Sequence, residues 1–148
     1  MKIRNNKGYV MTDISISIII LLILVPTIMG LVYNIGVTKR ATEAKAEAIN
    51  IATNTIEAAK GIDIANINVN SVLENIKNNI YKEKMTISEN NGVINTNKSS
   101  YKVSVDVIDY ADSHTEDVQP NIVKTITAKV EYRLSGKTQE ITLKTVVK

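Results

Sequence analysis

The chain contains no cysteine, which excludes a disulfide scaffold, a thiol nucleophile and every cysteine-ligated zinc or iron–sulfur site. Its single histidine, His114, excludes multi-histidine metal centres. Tryptophan and phenylalanine are also absent, so a stacking platform for bases or sugars would need the six scattered tyrosines. No Ser/His/Asp arrangement or glycine-rich phosphate loop is present. We therefore expect no enzyme, no cofactor, and no catalytic, cofactor-binding or metal residues.

The average composition hides how unevenly charge and apolar residues are distributed. The 148 residues are 44% hydrophobic with a net charge of +3. That surplus lies in Lys2, Arg4 and Lys7, ahead of a long apolar run. From Gly61 onward basic and acidic residues are equal in number, and the basic residues alternate with acids along the polar face of the predicted sheet. Nothing there resembles the cation cluster that counterion release requires. We expect no nucleic-acid binding by this subunit alone.

The apolar run covers residues 14–38 and contains no charged residue. As a helix it would extend roughly 37 Å, enough to cross a hydrocarbon core of about 30 Å with some tilt. The basic residues ahead of it place the N-terminus in the cytoplasm and everything after Lys39 outside. A secretory signal peptide cut near Ala46 is the alternative, but the run is longer than signal peptides use.

Three residues do not suit a plain anchor. Asp13 stands at the edge of the run, and Pro26 and Gly30 interrupt the predicted helix midway. On its own, Asp13 could simply cap the helix N-terminus, where the helix dipole favours an acid. Pro26 and Gly30 could equally be a tolerated kink.

The segment K-G-Y-V-M-T-D before the apolar helix resembles the processing site of type IV pilins and type II secretion pseudopilins. The resemblance implies a leader, residues 1–8, that prepilin peptidase removes after Gly8. It implies that Tyr9, in place of the usual Phe, becomes the methylated N-terminus. Asp13 would stand where the family has a glutamate, with a side chain one methylene shorter. Helix breakers such as Pro26 and Gly30 are also common in this segment of the family.

The role that the resemblance gives to Asp13 has a physical reason. In a filament core, the charged N-terminal amine of one subunit needs an opposite charge, because the interior has a low dielectric constant. A carboxylate on a neighbouring helix supplies it, with an attraction of roughly 4 kcal/mol at about 4 Å and an effective dielectric of 20, before desolvation is subtracted. Only one axial offset pairs the two groups, so the pair also sets register.

Residues 39–60 predict an amphipathic continuation of the same helix, ending at Gly61. Its polar stripe, Glu43, Glu47, Asn50, Asn54 and Glu57, should face solvent. The opposite stripe should pack against the head; its members are Ala41, Ala44, Ala48, Ile51, Ala52, Ile56 and Ala59. The string A-x-x-I-A-x-x-x-I-E-A-A-K within it also looks like the corresponding stretch of minor pilins and pseudopilins.

Residues 61–148 are predicted to form a small globular α+β domain, here called the head. A short helix is expected at Ser71–Tyr81, with S-V-L-E as its capping box, followed by a hairpin around Asn91-Gly92. Alternating apolar residues predict three further strands, over Tyr101–Val107, Ile122–Leu134 and Ile141–Val147, with a turn at Ser135-Gly136-Lys137. The apolar face of this three- or four-stranded antiparallel sheet would be covered by the long helix.

An acidic loop lies beyond the first of these strands. Asp106, Asp109, Asp112, Glu116 and Asp117 surround His114, and clustered oxygen ligands suit calcium. The spacing matches no EF-hand, so a solvated acidic loop is the favoured interpretation and calcium binding stays open.

Together these features predict an α+β, pilin-like fold: one long N-terminal helix, transmembrane in its first half, packed on a small antiparallel β-sheet head. The predicted segments are 1–8 (leader), 9–38 (membrane and filament core), 39–60 (amphipathic helix) and 61–148 (head).

The expected function is that of a structural subunit, minor rather than major, of a type IV pilus or a secretion or competence pseudopilus. Its expected partners are prepilin peptidase, other pilin or pseudopilin subunits, the inner assembly platform and the membrane. It would start as a single-pass protein of the bacterial cytoplasmic membrane and later join an extracellular filament. The alternatives are a single-span anchored binding or sensory domain that does not polymerise and, less favoured, a pilus-tip adhesin.

Overall fold

The computed structural model describes residues 7–97, 99–109 and 123–148 of the chain, with side chains from residue 11. Two compact units divide at Ala41 and Thr42. The elements, in chain order, are α1 (Lys7–Lys60), a 3₁₀ turn (Ile64–Asn66), α2 (Val69–Asn79), β1 (Met85–Ser88), β2 (Asn91–Asn95), β3 (Ser100–Asp109), β4 (Lys124–Leu134) and β5 (Lys137–Val147). The α+β class, with one long N-terminal helix and an antiparallel sheet, is confirmed.

The first unit consists of the apolar part of α1. Every residue from Met11 to Arg40 is exposed, and the large apolar side chains between Met11 and Val37 are 40% to 75% exposed. The helix runs without a break through Pro26 and Gly30, so the interruption predicted there is absent. A helix that is apolar on all sides has no single face to turn toward a core, so lipid or other helices have to cover it.

The second unit is a five-stranded antiparallel meander with the order β1-β2-β3-β4-β5. The sheet has more strands than the three or four predicted, because both strands of the β1–β2 hairpin belong to it, with β2 paired to β3. The C-terminal part of α1 contributes a buried stripe to this unit, and α2 adds Leu73 and Ile76. The α1 residues of the stripe are Ala48, Ile51, Ala52, Thr55, Ile56 and Ala59.

The core lies on one face of the sheet. Tyr101, Val103 and Val105 of β3 lie opposite Tyr132, Val130 and Ala128 of β4, and all six are buried. The alternation predicted for β3, β4 and β5 is correct to within a few residues, although Ile122 lies outside the described residues. Ser135 and Gly136 have φ of 50° and 79°, as the two central residues of a type I′ turn require, so the predicted turn is also confirmed.

Two local predictions were wrong in position. Helix α2 is capped by Asn68, not Ser71: the Asn68 side chain accepts from Ser71 N at 2.8 Å, and Ser71 Oγ accepts from Asn68 N at 2.9 Å. The hairpin predicted around Asn91-Gly92 is present, but its turn is at Glu89 and Asn90, with a φ of 40° at Glu89, and Asn91-Gly92 lies in strand β2. Met85 Cε occupies the space that a Cβ at Gly92 would take, so the residue marks close packing and not a turn.

Candidate functional site

The proposed processing site lies at the start of α1. The backbone of Gly8 and Tyr9 is helical and belongs to the first turn, which begins at Lys7. Nothing beyond the backbone of these two residues is described. Cleavage after Gly8 and methylation of Tyr9 therefore stay predictions.

Asp13 is well inside the helix. It is the seventh residue of α1, and the first turn contains no acidic residue, so this carboxylate does not serve as an N-cap. Its side chain is exposed, and within the described part of the chain it makes no hydrogen bond or ion pair. The backbone carbonyl of Asp13 accepts a hydrogen bond from Ser17 Oγ at 2.8 Å. The charge at this position is thus uncompensated inside the described chain, at the edge of an apolar surface.

Three hydroxyl groups in the apolar segment bind their own helix. Ser15 Oγ donates to Met11 O at 2.9 Å, Ser17 Oγ to Asp13 O at 2.8 Å and Thr27 Oγ1 to Ile23 O at 2.7 Å. A hydroxyl in hydrocarbon has no water to bond, so a carbonyl one turn earlier in the helix is the partner that suits it there. These serines and this threonine are therefore compatible with an apolar surrounding, whereas the Asp13 carboxylate is not.

Two polar residues of α1 connect the helix to the head. Glu47 Oε2 accepts a hydrogen bond from Tyr101 Oη at 2.9 Å, and Asn54 Nδ2 donates to Tyr81 Oη at 3.2 Å. Both were predicted to face solvent, but both are half-buried. Burial of the Tyr101 ring, followed by its bond to the Glu47 carboxylate, raises the Tyr101 pKa to about 12. The polar stripe read from the helix sequence could not reveal these hydrogen bonds, because the partner hydroxyl groups, those of Tyr101 and Tyr81, lie outside the helix.

The outer face of the sheet carries charge in both signs. Lys129 Nζ lies 3.2 Å from Glu131 Oε1 and 2.9 Å from Glu140 Oε2. The hydrogen bond to Glu140, with a smaller effect from the one to Glu131, raises the pKa of Lys129. The same hydrogen bond from Lys129 lowers the pKa of Glu140. Within the described residues, Lys129 thus lies between two acids on this face.

The acidic loop is only partly described. Asp106 is exposed on the outer face of β3, opposite Thr127, and Asp109 Oδ1 lies 3.7 Å from Lys124 Nζ. Across residues 7–97, 99–109 and 123–148, no group of three or more acidic or histidine side chains could hold a metal ion. The other residues of the predicted cluster, Asp112, His114, Glu116 and Asp117, lie outside the described residues.

The long helix is the feature of this chain with the most direct bearing on function. It contains an 18-residue window with a mean hydropathy of 2.7, none of it buried, and by length and composition it could cross a membrane. Comparison of the chain with protein-family models, with curated proteins and with solved structures gives no match.

Proposed function

We propose that the chain is a minor structural subunit of a type IV pilus or of a type II secretion or competence pseudopilus. It enters the cytoplasmic membrane through residues 9–38, loses residues 1–8 to prepilin peptidase, and is then drawn from the membrane into a filament through α1. The head, held to the C-terminal part of that helix, forms the filament surface. The partners are other pilin-like subunits and the inner assembly platform.

The observation that carries the proposal is the pairing of an exposed, all-round apolar helix with one uncompensated carboxylate near its start. Lipid covers the apolar side chains of Met11–Val37 equally well in an anchor and in a subunit awaiting assembly. Lipid does not compensate the charge of Asp13, whose side chain has no partner in the described chain. A neighbouring subunit that brings a free amine beside it would do so.

Cleavage after Gly8 would create a positively charged amine at Tyr9, at the start of the helix. Assembly through Asp13 requires such a charge on the neighbouring subunit. The new amine of Tyr9 lies four residues, about one helical turn, before Asp13 in the same chain. A neighbour displaced along the axis by about that distance places its own amine beside this carboxylate. The geometry of one helix therefore suits pairing between two copies with a small axial offset.

Mass spectrometry of the protein extracted from membranes tests processing. The expected product begins at Tyr9 and carries one added methyl group. Gly8→Leu should leave the leader in place, because the peptidase has to accept a side chain where the family has none. Gly36→Ala is the matched control: nothing lies within 4 Å of the added Cβ, so cleavage should be unchanged. An intact Met1, or a cut near Ala46, in the parent chain would contradict the proposal.

Substitutions at Asp13 test assembly separately from processing. Asp13→Asn keeps the side-chain shape and removes the charge, and it should be cleaved like the parent but enter filaments at less than about a tenth of the parent level, the effect of losing roughly 1.4 kcal/mol. Asp13→Glu should assemble at least as well as the parent. The measurement is the ratio of chain in sheared filaments to chain in membranes. Equal incorporation of Asp13→Asn and parent would show that amine pairing is wrong.

The single-span anchored domain is the second candidate. It is favoured by the same exposed apolar helix and needs neither cleavage nor the Asp13 charge. In that case the mature protein keeps residues 1–8, and Asp13→Asn behaves like the parent in every fraction. The two experiments above thus separate the candidates without any knowledge of a ligand for the head.

A further inference from the structure

Strand β5 forms a long edge of the sheet in the described part of the chain. It spans Lys137–Val147 and pairs with β4 along its whole length, and no other strand of the described chain pairs with its second side. The opposite edge, β1, has only the four residues Met85–Ser88. An edge of eleven residues offers a row of unpaired backbone N–H and C=O groups to another strand.

This edge has few of the features that usually prevent pairing. It contains no proline, and beyond Lys137 its charged residues, Glu140 and Lys144, both lie on the outer face. Its inner face there carries Ile141, Leu143 and Val147, which pack against the core but are only half-buried, unlike the fully buried β3 and β4 residues. An added strand would complete their burial.

The sequence of β5 is complementary to itself in one register. When the β5 strands of two chains pair antiparallel over their full length, a two-fold axis relates them. This axis passes between the two copies of Thr142, the central residue of the strand. That register places Glu140 opposite Lys144 of the second copy, and Lys144 opposite its Glu140. On the inner face it places Ile141 opposite Leu143, twice. Glu140 already contacts Lys129 of its own chain at 2.9 Å, so Lys144 of the second copy would join an existing ion pair at each end. One symmetry operation thus provides both charge contacts and both apolar pairs.

We propose that β5 is a self-recognition surface, which joins two copies of this chain into a ten-stranded sheet with Thr142 at the two-fold axis. Lys144 makes no ion pair within the described part of its own chain, so it is available to the second copy. Such a contact is isologous and closes as a dimer, whereas a filament needs heterologous contacts. The pairing is therefore separate from polymerisation through α1, and its outcome does not depend on the proposed function.

The absence of cysteine makes a cross-linking test direct. Thr142→Cys, in the full chain in detergent micelles, should give a covalent dimer with oxidant or a short thiol cross-linker, because the two introduced thiols face each other across the axis. Thr138→Cys is the matched control on the same strand and face. In the proposed register its two copies are eight residues apart, about 27 Å, and should not cross-link. Thr138→Cys mixed with Val146→Cys should cross-link, because these positions are opposite each other.

A charge exchange tests the same register without a covalent bond. Lys144→Glu should raise the dissociation constant of the dimer by about tenfold, because two attractive cross-strand pairs become repulsive. Glu140→Lys should weaken it similarly. An equimolar mixture of the two variants should restore parental affinity, since the introduced charges are complementary, and this rescue also shows that both variants fold. Lys148→Glu, which changes net charge equally but lies beyond β5, should have no effect.

Sedimentation equilibrium of the micelle-bound chain gives these constants. A monomeric parent, cross-linking of Thr138→Cys as efficient as that of Thr142→Cys, or no rescue in the mixture would each overturn the proposal. Dimers that persist unchanged in Lys144→Glu would show association through the apolar helix instead, and would overturn it as well.

Discussion

The hydrogen bond between Tyr101 and Glu47 should make the free energy of unfolding of the head fall at alkaline pH. The substitution Tyr101→Phe should remove this part of the pH dependence. Tyr101 is fully buried, and its hydroxyl donates to a half-buried carboxylate on α1 at 2.9 Å. Tyr101→Phe deletes the donor and leaves the carboxylate facing a ring edge. Hydrogen bonds to charged groups contribute about 1.5 to 3 kcal/mol. Because Glu47 is only half-buried, we expect a loss near the lower limit, about 1.5 kcal/mol at pH 7.

The pH dependence follows from the Tyr101 pKa, which rises from 10.0 to about 12 on folding. The folded state therefore binds the phenolic proton more tightly than the unfolded state does. The stabilisation is complete below pH 10 and is lost as the pH rises toward 12. At pH 11 the parent should have lost about 1.4 kcal/mol through this group alone. Tyr101→Phe has no such group, so the difference in the free energy of unfolding between the two proteins should shrink to nearly zero.

Urea unfolding of the full chain in micelles, followed by far-ultraviolet circular dichroism at pH 7 and pH 11, measures both differences. Glu47→Gln is the matched control: it keeps an acceptor for the Tyr101 hydroxyl, removes the negative charge, and should reduce the alkaline loss without the full cost at pH 7. If Tyr101→Phe were equally destabilised at both pH values, the raised pKa of Tyr101 would be refuted.

Three further substitutions and one control variant test the head. Ile51→Ala should lower the free energy of unfolding by about 2 to 4 kcal/mol through an internal cavity, whereas Ile49→Ala, on the same helix but 40% exposed, should cost under about 1 kcal/mol. Asn68→Ala should cost about 1 kcal/mol, because Ser71 N loses its acceptor. Gly136→Val should cost about 1 kcal/mol or more, since φ is 79° there. Urea unfolding measures all four, and equal effects at Ile51 and Ile49 would contradict the packing of α1.

The sequence predicted those elements whose apolar period is long and regular. The helix to Lys60 and the strands β3, β4 and β5 each repeat their pattern several times, so a single exception does not hide it. Strands β1 and β2 are short, and Gly92 interrupts the pattern in one of them. Glycine was interpreted as a turn, because the side chain of Met85 that fills the space above it belongs to a neighbouring strand and is invisible locally.

The cap of α2 shows a different limit. Asn68 and Ser71 are both good cap residues, three positions apart, and each bonds the backbone of the other. The sequence therefore indicates a capping box, but it does not show which of the two residues is the N-cap of the helix. The structure selects Asn68, and Val72 and Leu73 are then buried. The polar contacts of Glu47 and Asn54 were missed for the same reason as Gly92, since their partners are distant in sequence.

The position of Asp13 gives the candidate site a meaning that its residue type alone does not. An acid at the first residue of the helix would be explained by the backbone N–H groups there, and no second molecule would be needed. Asp13 is instead the seventh residue of α1, beyond those free N–H groups, and the apolar surface begins directly after it. In a lone anchor the charge only adds a cost, which reaches about 2.5 to 3.5 kcal/mol if it is drawn to the bilayer centre. Neutralising Asp13 should therefore leave insertion into a membrane unchanged or improved, and a loss confined to assembly is the outcome that only a charged partner on another chain explains.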